Sequence, residues 1–304
     1  MAKKHHLCVC ICTFRRPRLL GELLRALEGQ ETEGLFEYSI SIADNDRSGS
    51  ARQTVESHAR LSKLDIRYDI EPEQNIAMAR NKTITNSKGD FVAIIDDDEL
   101  PDQRWLLNMY KALGFFKTAG ILGPIRTRYG VPPPRWVIRG GFFERPSYYS
   151  GYFLSWQLTR TGNCLLRRSL FKGNNSWFLE KFGSGGEDRD FFKRMIASGY
   201  VFVWCDEAPV FELAPPERWV KITMLKRALL RGKMTYLSKK NNPWNIMGSL
   251  TLLLVYLFAM PLLLAFSPIF GYETFMKYLV KSGDHFGKLL AVVHIDLIRE
   301  KYIV

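Results

Sequence analysis

Ile94-Ile95-Asp96-Asp97-Asp98-Glu99 is an apolar run that leads directly into four consecutive acids. Like charges this close repel unless a cation offsets them, and Mg²⁺ or Mn²⁺ does so when held by one or two carboxylates together with phosphate oxygens. A solvated acidic turn is the plain alternative. The position of the acids decides between the two: Phe91–Ile95 reads as a β-strand, and in open parallel sheets ligands bind outside the carboxyl ends of the strands.

Working outward, Leu7–Phe14, Tyr38–Ala43 and Ile66–Asp69 are further β-rich runs. Between them Pro17–Leu27, Ser50–Leu64 and Asn75–Asn86 carry apolar residues at helical spacing. This alternation predicts β-α-β units and hence an α/β fold with a mostly parallel sheet. Trp105–Phe116 reads as another helix, and residues 123–155, with Pro132-Pro133-Pro134 and many aromatics, as an irregular loop. A second α/β part follows, with Gly162–Arg167 and Val201–Trp204 as strands and Glu187–Ser198 as a helix.

The 304 residues are 46% hydrophobic and 24% charged, enough to bury a core, which excludes a disordered chain. A net charge of +12 calls for an acidic partner. The chain lacks the basic-aromatic modules and recognition helix of nucleic-acid binders, so an anionic membrane surface and sugar pyrophosphates lead. Of five cysteines, Cys8, Cys10 and Cys12 alternate along one strand; residues two apart share a face and do not form a normal disulfide. A metal site joining them to His5 and His6 lacks paired C-x-x-C spacing, so they read as small buried strand residues. Met1-Ala2-Lys3-Lys4 is followed by an apolar run, Leu7 to Ile11, too short for a signal-peptide core, which places the catalytic part in the cytoplasm.

A second acidic cluster, Gly185-Gly186-Glu187-Asp188-Arg189-Asp190-Phe191-Phe192, stands at a helix start, where carboxylates also serve as simple dipole partners. Taken with Val9–Pro17, Ala43-Asp44-Asn45-Asp46, Asn75–Asn81, the Asp96–Asp98 triplet and Thr161–Arg168, it gives six elements in order. From about Cys8 to about Gly232 the chain resembles the inverting family 2 glycosyltransferases of GT-A fold, and within them those of succinoglycan-type exopolysaccharide assembly. The resemblance implies a Rossmann-like, mostly parallel sheet flanked by helices, a nucleotide-sugar donor such as a UDP-hexose, Mn²⁺ or Mg²⁺, and a lipid-linked saccharide as acceptor, with the 123–155 loop on the acceptor side. It also implies roles. Thr13, Arg15, Asp44, Asn75 and Arg80 contact the nucleotide; Asp96 contacts ribose or metal; Asp98 binds the metal; Asp97 is turned away. Asp188 is the catalytic base, with Glu187 beside it as support or alternative base. One departure stands out: many relatives carry Gln-x-x-Arg-Trp, whereas here Arg218-Trp219 stands without the Gln. Arg218 is a candidate phosphate contact. The absence of the full motif argues for single-sugar addition. Transfer directly to polyprenyl phosphate and a non-catalytic nucleotide-sugar-binding scaffold are the competing readings.

From Asn245 to Tyr272 no residue is charged, a stretch longer than the roughly 18 apolar residues of a membrane-span candidate. Pro261 and Pro268 are expected to break or kink it, which predicts a re-entrant or interfacial hairpin whose arms meet at Pro261, with a single span as the alternative. Lys239-Lys240 on one side and Lys277, Lys281, Lys288, Arg299 and Lys301 on the other keep both ends on the cytoplasmic face of the inner membrane. Gly287–Ile298 is amphipathic enough to pack on a domain instead. The expected division is a GT-A domain over 1–240 and a membrane-associated tail over 241–304.

Overall fold

The computed structural model describes residues 4–173, 176–183, 185–238, 243–295 and 297. Lys239, Lys240, Ile298, Arg299 and Lys301, and with them the expected 240/241 boundary, lie outside the described residues. The chain divides into two compact units, Met1–Arg128 with Arg145–Leu213, and Tyr129–Glu144 with Ala214–Val304.

In chain order the first unit contains β1 (His5–Thr13), α1 (Pro17–Glu28), β2 (Phe36–Asp44), α2 (Arg52–Ala59), β3 (Ile66–Ile70), α3 (Ile76–Asn86), β4 (Phe91–Ile95), β5 (Glu99–Pro101), α4 (Trp105–Phe116), β6 (Gly120–Leu122) and β7 (Ile125–Tyr129). After α5 (Arg135–Gly140), which belongs to the second unit, come β8 (Asn163–Arg167), α6 (Glu187–Ala197), β9 (Phe202–Trp204) and β10 (Val210–Ala214). The main sheet has the order β3-β2-β1-β4-β8-β6-β9. Its β3-β2-β1-β4 half is parallel, and β8 runs antiparallel to both β4 and β6. A small sheet, β5-β10-β7, lies apart from it.

Alternation along β1 explains the layering, because successive side chains point to opposite faces. Leu7, Val9 and Ile11 pack with the apolar stripe of α1 (Leu20, Leu23, Leu24, Leu27) and with Trp105 and Leu106 of α4. Cys8 and Cys10 face the other way, into a cluster with Ala77 and Ile84 of α3 and Phe191 and Phe192 of α6. The cysteines are free thiols doing the work of small apolar residues. The α2 helix is shorter than the expected Ser50–Leu64, closing at Ala59 on a hydrogen bond from the Arg60 N–H to the Glu56 carbonyl. The stretch expected to be an irregular loop holds β7 and α5; Pro134 stands directly before α5, where its missing N–H costs nothing.

The second unit is helical: α5, α7 (Lys221–Ser238), α8 (Pro243–Ala265), α9 (Ser267–Phe270) and α10 (Tyr272–Val292). Val137, Trp219, Met224 and Met276 form its core, with Tyr129, Trp136 and Phe275 packed around them. The α7 and α10 helices touch backbone to backbone: a Cβ on Gly287 would lie 2.1 Å from the Leu229 carbonyl oxygen, and one on Gly232 2.0 Å from that of Asp284. Pro261 does not break the chain, contrary to the expected hairpin apex; α8 runs through it. A helix interior tolerates proline at the cost of a kink and a lost hydrogen bond. The reversal comes instead at 266–271, where Gly271 takes a φ of +82°. Within Trp244–Ala265 the most apolar 18-residue window has a mean hydropathy of 2.2, and only 6% of it is buried. Ser249, buried on α8, accepts a 3.0 Å hydrogen bond from Lys288 Nζ of α10 and lies 3.2 Å from His285 Nδ1 of the same helix.

Candidate active site

The strand order reverses between β1 and β4, so their carboxyl ends diverge into the crevice where open α/β sheets bind ligands. Thr13 closes β1, and the acidic triplet follows β4. Here the triplet is not a uniform anionic patch. The Thr13 hydroxyl donates a 2.7 Å hydrogen bond to Asp97 Oδ2, and Arg16 Nη1 reaches both Asp97 Oδ1 and Asp98 Oδ2 at 3.1 Å. Burial outweighs the pull of Arg16 and the Thr13 hydrogen bond and pushes the Asp97 carboxyl up to about 6. Asp97 therefore tethers the β1 turn, while Asp96 lines an open cleft on the other side.

The residues expected to touch the nucleotide divide by how much of each is already engaged. Asp44 is fully buried, and its carboxylate accepts hydrogen bonds from the Asp46 and Ala51 N–H groups and from the Tyr68 hydroxyl at 2.8–3.0 Å. These bonds hold the turn after β2, and Asp44 does its work through that turn. Asn75 caps α3, accepting from the Ala77 and Met78 N–H groups and donating to the Glu180 carbonyl. Arg15, in the left-handed region at φ +54°, pairs with Asp46 at 3.1 Å and keeps most of its side chain in solvent.

The cleft itself measures about 220 Å³ and is lined by Asp96, Asp188, Arg80, Arg145, Arg160 and Thr161 among others. It brings together the two acidic clusters, separated by about ninety residues in sequence. Arg80, 7% exposed, links them: its Nη2 donates to Asp96 Oδ1 at 3.3 Å and its Nε lies 3.2 Å from Glu187 Oε1. Glu187 is buried behind this guanidinium, whereas Asp188 is only half-buried and faces the cleft. One Asp188 oxygen accepts the Arg189 N–H at 2.7 Å. Burial, against the attraction of Arg80, pushes Glu187 up to about 7.

That shift gives a measurable pH dependence. The folded Glu187 holds a proton up to about pH 7, while an unfolded one releases it near its ordinary value of 4.5. Between these values the folded state binds more protons, so this group's contribution to stability falls as pH rises, and the loss is complete above about 7. Glu187→Gln removes the dependence. Its melting temperature relative to wild type should rise from pH 5 to about pH 7 and level off above it; a difference independent of pH would contradict the assignment.

Whether the acids fit a divalent ion is answered by their surroundings. Among the described residues no three His, Cys, Asp or Glu side chains converge as a ready metal cage. Asp98, expected beside Asp96 on one ion, is instead countered by Arg16, as Asp96 is by Arg80. A guanidinium on each acid relieves the crowding that the sequence alone assigns to a metal. Crowding nevertheless persists on the cleft side. A Cβ on Gly162 would lie 2.8 Å from Glu99 Oε1 and 3.0 Å from Asp96 Oδ2, so only glycine leaves these carboxylates their space. Burial and the charges of Asp96 and Asp98 raise the fully buried Glu99 well above the ordinary carboxylate range. The acids fit the half of a Mg²⁺ or Mn²⁺ site that one or two carboxylates supply, diphosphate oxygens being the other half.

Several participants escape the sequence reading. Arg16, Arg160 and Arg189 stand within or beside the quoted motifs, but nothing in their spacing marks them; Arg145 carries no signal beyond charge. Arg218 lies in the second unit on the short 3₁₀ turn Pro216–Trp219, whose Trp219 packs edge-on against Tyr129 in that unit's core.

Comparison with known proteins accords with this geometry. The profile of Glycosyl transferase family 2 matches residues 8–173. The succinoglycan biosynthesis protein ExoM of Rhizobium meliloti is 36% identical over 233 residues, which is 75% of this chain and 73% of that protein. Among solved structures, a mannosyltransferase of Pyrobaculum calidifontis in complex with GDP-Man and Mn²⁺ superposes with a TM-score of 0.63 at 14% identity, covering 97% of this chain and 89% of that one. TarS of S. aureus in complex with UDP-GlcNAc does so with a TM-score of 0.53 at 16% identity, covering 97% and 95%. Both likenesses are of fold.

Proposed function

Because the chain belongs to glycosyl transferase family 2, we propose that it transfers a hexose, with inversion, from a nucleoside-diphosphate sugar to a lipid-linked saccharide in exopolysaccharide assembly. The observation that carries this reading is the single cleft shared by Asp96 and Asp188. A sugar transfer by direct displacement needs a base at the acceptor hydroxyl and compensation for the departing diphosphate. Asp188 takes the hydroxyl proton as the acceptor oxygen bonds to the anomeric carbon. The bond from that carbon to the phosphate oxygen breaks, and the nucleoside diphosphate leaves with the electron pair. Arg80 sets the position of Asp96 and is itself held by Glu187. Asp96 and Asp98 are the residues for Mn²⁺ or Mg²⁺, which when bound offsets diphosphate charge. Thr13, Arg15 and the turn held by Asp44 border the base and ribose, and Arg218 is a further candidate for phosphate. The relationship to ExoM supports polysaccharide assembly, and a UDP-linked donor is the simplest expectation.

The test is a thermal-shift panel of UDP, GDP and ADP with and without Mn²⁺. A ligand that binds only the native state stabilises it by about 2.7 kcal/mol at a hundredfold excess over Kd. UDP with Mn²⁺ should raise the melting temperature most; no shift with any nucleotide would overturn the transferase reading.

The second unit supports a membrane location. The exposed side chains of α8 include Trp244, Leu254, Leu257 and Phe258, and burial of such surface outlasts salt, which only screens charge. The full chain should therefore stay with membranes in a high-salt wash. Removing everything after Asn245 would also remove α10 and so part of the second unit's core, which makes Leu257→Glu with Phe258→Glu the cleaner test. That variant should move to the soluble fraction; release of the unaltered protein by salt alone would contradict an apolar anchor.

A further inference from the structure

The cleft carries more positive charge than the mechanism above uses. Four arginines, Arg80, Arg145, Arg160 and Arg189, line it against two aspartates, Asp96 and Asp188. Arg80 is matched by Glu187 and Asp96, and Arg145 by Glu212. Arg160 and Arg189 make no ion pair or side-chain hydrogen bond with the described residues. Arg160 is partly buried with Arg145 as a neighbour, and desolvation together with that like charge lowers its proton affinity despite Asp188 and Glu99. Beside it, Thr161 is 1% exposed, and its hydroxyl has no hydrogen-bond partner. Arg80 Nη1, also buried on the cleft wall, is a second unpartnered donor. Buried polar atoms are nearly always satisfied, so orphan donors on the wall of an open cleft mark the place of a ligand.

We infer that Arg160, with Arg145, Arg189 and the Thr161 hydroxyl, forms an oxyanion subsite that takes a diphosphate. The inference rests on the transferase reading and deepens it, by naming cationic groups in a chain without the Gln-x-x-Arg-Trp motif. Planar guanidinium groups with fixed donors suit phosphate oxygens, and a hydroxyl completes the set. Two phosphate sources share this chemistry: the diphosphate of the nucleotide donor, and the diphosphate of a lipid-linked acceptor.

Calorimetric titration of the full-length protein with UDP plus Mn²⁺, and separately with farnesyl diphosphate, tests this in wild type and Arg160→Gln. Loss of one charge-assisted hydrogen bond should weaken binding by about tenfold or more. Weakening for UDP assigns the subsite to the donor, and weakening for farnesyl diphosphate alone assigns it to the acceptor. Unchanged affinity for both overturns the proposal. Thr161→Val, which keeps the side-chain volume, should give the same pattern at smaller amplitude and serves if Arg160→Gln does not fold. A wild type that binds farnesyl diphosphate through Arg160 yet ignores every nucleotide would sink the transferase reading and leave the subsite standing.

Discussion

Asp188→Asn should lower sugar transfer by about 10²- to 10⁴-fold, the range expected for loss of a general base, while binding of nucleotide and Mn²⁺ stays close to normal. The expectation follows from the difference between two adjacent acids at the start of α6. Glu187 is buried and committed to Arg80; Asp188 is half-buried and faces the cleft with one oxygen free of the Arg189 amide. Only the second has access to an incoming hydroxyl. Glu187→Gln should act differently above pH 7, where Glu187 is ionised: the charge holding Arg80 is lost, donor binding weakens, and the rate falls with it. Steady-state assays of both variants at saturating donor separate the two effects. Attack from the Asp188 side also inverts the anomeric centre, so an α-linked donor should give a β-linked product by NMR. Full activity in the Asp188 variant, or an α-linked product, would rule out this residue as the base.

Much of this arrangement is legible in the sequence because it depends on local pattern. The run Leu7 to Thr13 alternates two apolar faces, α1 carries a leucine stripe, and the acids stand directly after β4, so strand, helix and crevice follow from periodicity and position. Only the family resemblance points to the pairing of the Asp96 and Asp188 regions in one cleft. Contacts across long separations left less trace. Arg16 reaches Asp97 and Asp98 from more than eighty residues away, and Arg80 reaches Glu187 from still farther. No spacing rule encodes such pairs; they exist because the sheet brings strand ends together. The helical hairpin shows the same limit. In the sequence Pro261 reads as the apex, but proline sets only its own φ and one missing hydrogen bond, whereas the reversal needs a left-handed residue, and Gly271 supplies it.

Asp98→Asn should abolish turnover and the Mn²⁺-dependent part of UDP binding while leaving the fold intact. A hard divalent ion needs ionised oxygen ligands, and an amide in place of a carboxylate gives up the charge that holds the ion against water. Because Arg16 contacts Asp98 at 3.1 Å, a purely structural role for this acid must be separated from a metal role. Arg16→Gln does so: it removes the same contact but keeps the carboxylate. If Asp98 merely anchors Arg16, the two variants should lose activity and nucleotide affinity together. If Asp98 holds the ion, Arg16→Gln retains Mn²⁺-dependent UDP binding and Asp98→Asn does not. Asp97→Asn provides the third reference, since its carboxylate takes both the Thr13 hydroxyl and Arg16 in a buried setting. Its loss should appear as destabilisation of about 1–3 kcal/mol in chemical denaturation, with metal-dependent binding retained. Unchanged Mn²⁺-dependent UDP affinity in Asp98→Asn would remove this residue from the metal site and leave Asp96 and Glu99, which crowd the space over Gly162, as the acids to examine.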